Sequence, residues 1–296
     1  VVTRRFQARV TSGGLAAIAT TDLVVAGQPP VIRNALLSPH TYGWPDETNT
    51  GPRVPIGQLR VWEGGLSTSV NGEVFEKLFV RGGLTANASN VVLRDSVIEY
   101  RGTLYPVKQS SGRSGLLLDH VRVDGGTADH PGIYSQGGRY TLLGCDVFGS
   151  VDGFRIEQDD CEIRDSYFHD QSHPAGAHAD AGQIRRGDRT RIIHNTLLAG
   201  RRQTGGTWAR NNAVLQYGSD ITSGDSYDDL WFIGNLCDHG NYCFNGPNPE
   251  DMRQRFEDNR FGRDWQFYLT VGDFQTGDDT WLRNVWDDTG ALIPAP

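Results

Sequence analysis

Lysine is almost missing from this chain. Of its 28 basic residues only Lys77 and Lys108 are lysine, and the remainder is arginine, a skew that points to a GC-rich genome. No excess of positive charge exists either: the formal net charge is −8, so non-specific binding to nucleic acid or to an anionic membrane is not expected. No run of 18 apolar residues occurs, which excludes a membrane-spanning helix. No CxxC pair is present among the four cysteines at 145, 161, 237 and 243, so cysteine metal spacing is absent. The first residue is valine, and the chain is expected to lack a signal peptide and to be a processed or trimmed piece of something longer. Inside the central region no stretch keeps apolar residues at i, i+3, i+4 and i+7 for long, which excludes helical solenoids.

What is present is a repeated phrase. A β-like run ends in a small polar residue flanked by apolar ones at Asp95-Ser96-Val97-Ile98, Gly144-Cys145-Asp146-Val147, Asp165-Ser166-Tyr167-Phe168 and His194-Asn195-Thr196-Leu197. Asp119-His120-Val121-Arg122-Val123 reads as the same phrase with one extra residue. It returns at Gly234-Asn235, Asp258-Asn259 and Arg283-Asn284, and the steps are 24, 25, 21, 29, 40, 24 and 25 residues. Such a period means a repeat in which no unit buries its apolar face alone. Three short parallel strands per circuit need roughly 20 to 25 residues, whereas propeller blades need about 40. Asn tolerates the left-handed backbone of a tight turn, and Asn195, Asn235, Asn259 and Asn284 could stack amide on amide. The expected fold is all-β, a right-handed single-stranded parallel β-helix.

Residues 1–42 differ from the rest and read as an N-terminal cap or attachment segment, with Phe6, Ala8 and Val10 alternating with polar neighbours. The β-helix is expected over 43–296, opening with a turn-rich lead-in from Tyr42 to Pro55 and placing Gly64-Gly65 and Gly82-Gly83 at corners. The longest step is expected to hold projecting loop around 201–208 and 219–229. Cys145 and Cys237 fall at repeat positions, so buried thiols are the first reading. A bridge between Cys237 and Cys243 across the turn at 238–241 is the alternative.

A second recurring run carries the functional expectation. Pro106-Val107-Lys108, Gly132-Ile133-Tyr134, Gly153-Phe154-Arg155 and Gly182-Gln183-Ile184 read as neighbouring rungs. Alternation puts Val107, Ile133, Phe154 and Ile156 inward and Lys108, Tyr134, Arg155 and Gln183 outward in one column of roughly 14 Å, with Asp152 and Asp180 beside it. The competing reading is a solvated sheet face. The densest chemistry is the loop His169-Asp170-Gln171-Ser172-His173 to His178-Ala179-Asp180. A general acid–base pair of His178 with Asp180 or Asp152, a divalent cation near His169, His178 and Asp180, and a purely structural loop all fit these residues; the expectation adopted is no cofactor.

Asn-Thr-Gly at 49–51, Asn-Val-Val-Leu-Arg-Asp-Ser at 90–96, Asp152-Gly153, Tyr-Phe-His-Asp at 167–170, His178-x-Asp180-x-x-Gln183, His194-Asn195-Thr196 and Asn-Val-Trp-Asp-Asp-Thr-Gly at 284–290 are the most specific residues of the chain. In them the chain resembles a family of right-handed β-helix proteins of pectate-lyase-like architecture, found in actinobacterial secreted proteins and bacteriophage minor tail proteins. The resemblance covers about residues 42–290. It implies the fold, and it implies functions that range from polysaccharide lyases and hydrolases to pieces without assigned activity. Asp159-Asp160-Cys161 mimics the acidic pair of polygalacturonases, but falls at a turn and another rung position. Alginate-lyase-like members use a Lys base and an Arg that neutralises the uronate, which Lys108 and Arg155 resemble.

Three functions follow as expectations. The first is a phage tail-tip, minor tail or fibre module of the virion that binds, and in one version depolymerises, a cell-envelope polysaccharide, with other tail proteins and a homotrimer as partners. The second is a secreted polysaccharide lyase or glycoside hydrolase, with His178, Asp180, Asp152, Arg155 and Lys108 as catalytic candidates. The third is a structural spacer. Tyr134, Gln183, His169, Asp170 and Trp208 are the candidates for substrate contact.

Overall fold

The computed structural model describes residues 3–12, 15–24, 43–174, 177–202, 208–209, 213–217, 228–245, 253–271 and 279–295. The chain divides into two compact units, Val1–Arg33 and Asn34–Pro296. The first holds an antiparallel hairpin, Thr3–Ser12 against Leu15–Val24, with Phe6 opposite Thr21 and Val10 opposite Ala17.

The second unit is all-β and built of parallel ladders; among the described residues its helical content is one 3-10 turn, Ile56–Gln58. Three ladders are stacked circuit on circuit. The first runs from Val74–Glu76 to Thr280–Leu282, and the second from Arg60–Glu63 to Val285–Trp286. Val92–Glu99 and Leu116–Ala128 run straight through the corner between them and so belong to both. The third comprises Leu66–Thr68, Leu84–Ala86, Val107–Gln109, Ile133–Ser135, Phe154–Ile156, Gly182–Ile184, Ala213–Tyr217, Tyr242–Asn245 and Tyr268–Val271, each pairing with the next. Parallel strands require a crossover back to the same edge, and here the other two ladders supply it. That is why the sequence period is one circuit long.

The first corner explains the repeated phrase. Lys77, Asp95, His120, Gly144, Asp165, His194, Gly234, Asp258 and Arg283 all have φ between 46° and 65°. The left-handed residue is thus the one before each phrase asparagine, not the asparagine itself. Its successor turns inward: Ser96, Cys145, Ser166, Asn195, Asn235, Asn259 and Asn284 have no exposed surface. Val121 pairs with Ser96, so His120-Val121 is the phrase and contains no extra residue. The amides do stack. Asn195 Nδ2 donates to Asn235 Oδ1 (3.1 Å), Asn235 Nδ2 to Asn259 Oδ1 (3.2 Å) and Asn259 Nδ2 to Asn284 Oδ1 (2.9 Å). Each Oδ1 also accepts the backbone N–H of the phrase residue one circuit earlier, beginning with Ser166 to Asn195 (2.9 Å). Groups that would be costly to bury unpaired are thereby satisfied.

The lead-in from Gly43 is a strap along this corner. Trp44 is buried with its ring 5.3 Å from that of His194, the Gly51 N–H donates to Gly144 O (2.8 Å), and Arg53 makes a bidentate pair with Asp95 (2.7 and 2.8 Å). The interior holds Leu, Ile, Val and Phe side chains from all three ladders, with Phe232, Phe244, Phe256 and Phe261 in edge and tilted contact near the C-terminal end. The tail closes that end: Trp281 Nε1 donates to Ile293 O (2.8 Å), and Leu292 bridges antiparallel to Val285. All four cysteines are free and buried, and burial pushes the Cys145 and Cys161 thiols up to about 12.

Candidate functional site

The third ladder carries the predicted column. Tyr134 pairs with Lys108 on one side and Arg155 on the other, and Arg155 pairs with Gln183. The inward neighbours Val107, Ile133, Phe154, Ile156 and Ile184 are essentially unexposed. The column extends upstream through Ser67 and Thr85, so its outward residues are polar or amphipathic over six successive rungs. At the inward position of the Gln183 strand stands Gly182, where a Cβ would run into the Phe154 ring. From inside, the buried Tyr140 hydroxyl donates to Arg155 O (3.1 Å) and holds that rung in place.

Period-two alternation makes a second outward column, two residues on from the first, which sequence reasoning missed: Asn87, Ser110, Gln136, Glu157 and Arg185. Asn87 Nδ2 donates to Ser67 Oγ (3.0 Å), and Ser110 Oγ donates to Asn87 Oδ1 (2.6 Å). The Tyr134 hydroxyl donates to Glu157 Oε2 (3.2 Å), and Arg185 lies 3.5 Å from Glu157 Oε1. Burial, with the Glu157 charge next in weight, raises the Tyr134 pKa. A further group comes from the loops at the second corner. Tyr105 stacks on Tyr134 with centroids 4.5 Å apart and meets His130 edge-on at 4.7 Å, and the Lys108 ammonium lies 5.8 Å from the Tyr105 centroid.

The two predicted acids do not stand open beside the column. Asp152 is 2% exposed and Asp180 1%. Asp152 Oδ1 accepts the Asp180 N–H (3.2 Å), and its Oδ2 accepts from Arg155 (3.1 Å). Burial raises the Asp152 pKa, with Arg155 pulling the other way. His178 is exposed and makes no hydrogen bond among the described residues.

His169 and Asp170 belong elsewhere, at the end of the second ladder and the start of the following loop. His169 Nε2 bonds Asp146 Oδ1 and its Nδ1 bonds Asp170 Oδ2, both at 2.9 Å, while Arg122 holds the other oxygen of Asp146 at 2.7 Å. Burial lowers the His169 pKa, but the two carboxylates outweigh it and the net shift is upward. Both ring nitrogens of His169 thus face carboxylate oxygens. Among the described residues no three His, Cys, Asp or Glu side chains converge as a metal set. Trp208 sits in a short strand against Arg202, and its side chain lies outside the described residues, as does most of the predicted loop at 201–208 and 219–229.

Around the next corner a surface hollow of about 690 Å³ is lined by residues including Arg139, Glu157, Asp159, Asp160, Arg186 and Asp188. Its acids are largely used: Arg189 bonds both Asp159 (3.1 Å) and Asp160 (2.6 Å), and holds Asp160 below the usual carboxylate range. Glu157 belongs both to this hollow and to the strip beside it. Comparison of the chain with protein-family models, curated proteins and solved structures returns no match.

Proposed function

We propose that the second unit is a right-handed parallel β-helix of the pectate-lyase-like kind, and that its third ladder binds a cell-envelope polysaccharide as part of a bacteriophage tail. The observation that carries the binding is the register: Lys108, Tyr134, Arg155 and Gln183 occupy consecutive rungs at outward-facing positions, with Tyr134 covered by Tyr105. Rungs roughly 4.8 Å apart give a linear strip on the scale of an extended oligosaccharide. Rings beside cations and amides are the mixture that stacks on sugar faces and bonds their hydroxyls. The motifs at 49–51, 90–96, 178–183 and 284–290 resemble a family that includes both actinobacterial secreted proteins and phage minor tail proteins, and the separate front unit Val1–Arg33 favours the tail.

Binding without hydrolysis fits the acids best. Glycoside hydrolysis wants two carboxyl groups roughly 5 to 9.5 Å apart with access to the glycosidic bond, and Asp152 and Asp180 are both buried. Elimination is the second reading, favoured by Lys108 and Arg155 flanking Tyr134 in one line. Incubation with envelope polysaccharide of actinobacterial cells tests both. Retention of the polymer with no rise in ultraviolet absorbance or reducing ends is the expected result. An absorbance rise that Lys108→Ala abolishes would establish the lyase, and no retention would remove the binding reading.

A further inference from the structure

Within the proposed polysaccharide strip, the residue a sugar ring would meet is not the one the sequence nominates. Tyr134 is 8% exposed. One face of its ring is taken by Tyr105, nearly parallel at 22°, and its hydroxyl is taken by Glu157. Tyr105 is only partly buried and sits at the end of the exposed segment Arg101–Leu104, whose Leu104 is 57% exposed. A planar ring fixed from beneath by another aromatic is a rigid platform with little conformational entropy left to lose on binding.

Charge at this platform is unbalanced. Asp152 is matched by Arg155, and Glu157 by Arg185 and the Tyr134 hydroxyl. Lys108 is partly buried, lies 5.8 Å from the Tyr105 centroid and has no carboxylate within 4.0 Å among the described residues. In a chain of net charge −8, the ammonium of a partly buried lysine lies over the platform ring without an acid among the described residues. The neighbouring His130 also carries a buried Nδ1 with no hydrogen-bond partner among the described residues. We infer that Tyr105 and Lys108 form an anchoring subsite for a sugar residue bearing an anionic substituent, a carboxylate or a phosphodiester. The sugar ring stacks on Tyr105 and its acid pairs with Lys108, an interaction that charge assistance strengthens. This inference rests on the polysaccharide reading and gives it a substrate class.

The test uses envelope polysaccharide from actinobacterial cells in three forms: untreated, carboxyl-reduced, and freed of phosphodiesters by hydrogen fluoride. Affinity of the full chain is measured for each by calorimetry, alongside Tyr105→Ala and Lys108→Gln, with melting curves to verify folding. One of the two treatments is expected to weaken wild-type binding about tenfold, which corresponds to about 1.4 kcal/mol, and the treatment that does so identifies the acid. Lys108→Gln should bind the untreated polymer about tenfold more weakly and be indifferent to that treatment. Tyr105→Ala should lose binding to all forms. Equal wild-type affinity for all three forms overturns the anionic subsite while leaving polysaccharide binding intact. Lys108→Gln losing affinity equally for untreated and treated polymer also overturns it. No binding to the untreated polymer overturns both readings together.

Discussion

At the first corner, Asn195, Asn235 and Asn259 have every amide atom engaged by another circuit of the same chain and no surface exposed. On the third ladder, Lys108 has no acid partner among the described residues, and Lys108, Arg155 and Gln183 all keep exposed surface. Both are columns of polar residues generated by one winding repeat. The difference is direction. Where the repeat points a polar side chain inward, the fold uses all of its bonding capacity; where it points one outward, capacity is left for something else.

The sharpest way to break that comparison is to damage each column and compare stability. Asn235→Leu removes the acceptor of the Asn195 N–H and the donor to Ile192 O. Each buried group left without a partner costs about 1–3 kcal/mol, so a loss of at least about 3 kcal/mol is expected in chemical unfolding. A loss near zero would mean that the amide stack is incidental.

Next in size is Gly182→Ala, between the two columns. Its added methyl meets the Phe154 ring inside the third ladder. Overpacking of this kind costs about 1–3 kcal/mol; shortening the ring with Phe154→Leu in the same chain should recover part of it.

A smaller effect is the dependence of stability on pH. The folded pKa of His169 lies above its ordinary value of about 6.5. Its contribution to stability is therefore complete below that pH and fades as pH rises through the folded value. Asp152 acts in the same direction, since burial makes its ionised form unfavourable in the folded state. Asp95 and Asp228, held low by hydrogen bonds from Arg53 and Arg253, stabilise above about pH 3.9 and cease to do so as pH falls through their lowered values. Scanning calorimetry should give a higher Tm at about pH 6 than at about pH 8.5, with a decline below about pH 3.5. His169→Gln should flatten the upper part of that profile. A Tm that climbs from pH 6 to 8.5 would contradict the assignment.

The smallest expected effect is on the strip itself. Lys108→Gln removes a charge that has no acid partner among the described residues, and should change stability by no more than about 0.5 kcal/mol. A loss comparable to that of Asn235→Leu would make Lys108 a structural residue and remove the contrast.

The periodic parts of the molecule were legible because each circuit repeats the same local constraint. Small polar residues recur where the corner points inward, and the Val107, Ile133 and Phe154 positions recur where the third ladder faces the core. That suffices to align Lys108 with Gln183. Other features depend on contacts that no local pattern encodes. The strap from Trp44 to Arg53 meets Asp95, Gly144 and His194, residues 42 to 150 positions downstream. The insertion read at His120 arose because Val121 replaces the polar residue, and only the pairing with Ser96 reveals it. Tyr105 lies in a loop outside the period, whereas Gln136, Glu157 and Arg185 stand two residues on from the column and were recoverable from strand alternation. Asp152 and Asp180 were correctly placed on adjacent rungs, but burial depends on the Arg155 side chain and the neighbouring loops.

The most direct test of the proposed strip is a crystal structure of the chain grown with an oligosaccharide from actinobacterial envelope polysaccharide. The saccharide is expected to lie along the outer face of the third ladder, crossing the rungs of Lys108, Tyr134, Arg155 and Gln183 with one ring on Tyr105. A saccharide seated in the hollow between Arg139 and Asp188, or on the second ladder near His169, would contradict the account.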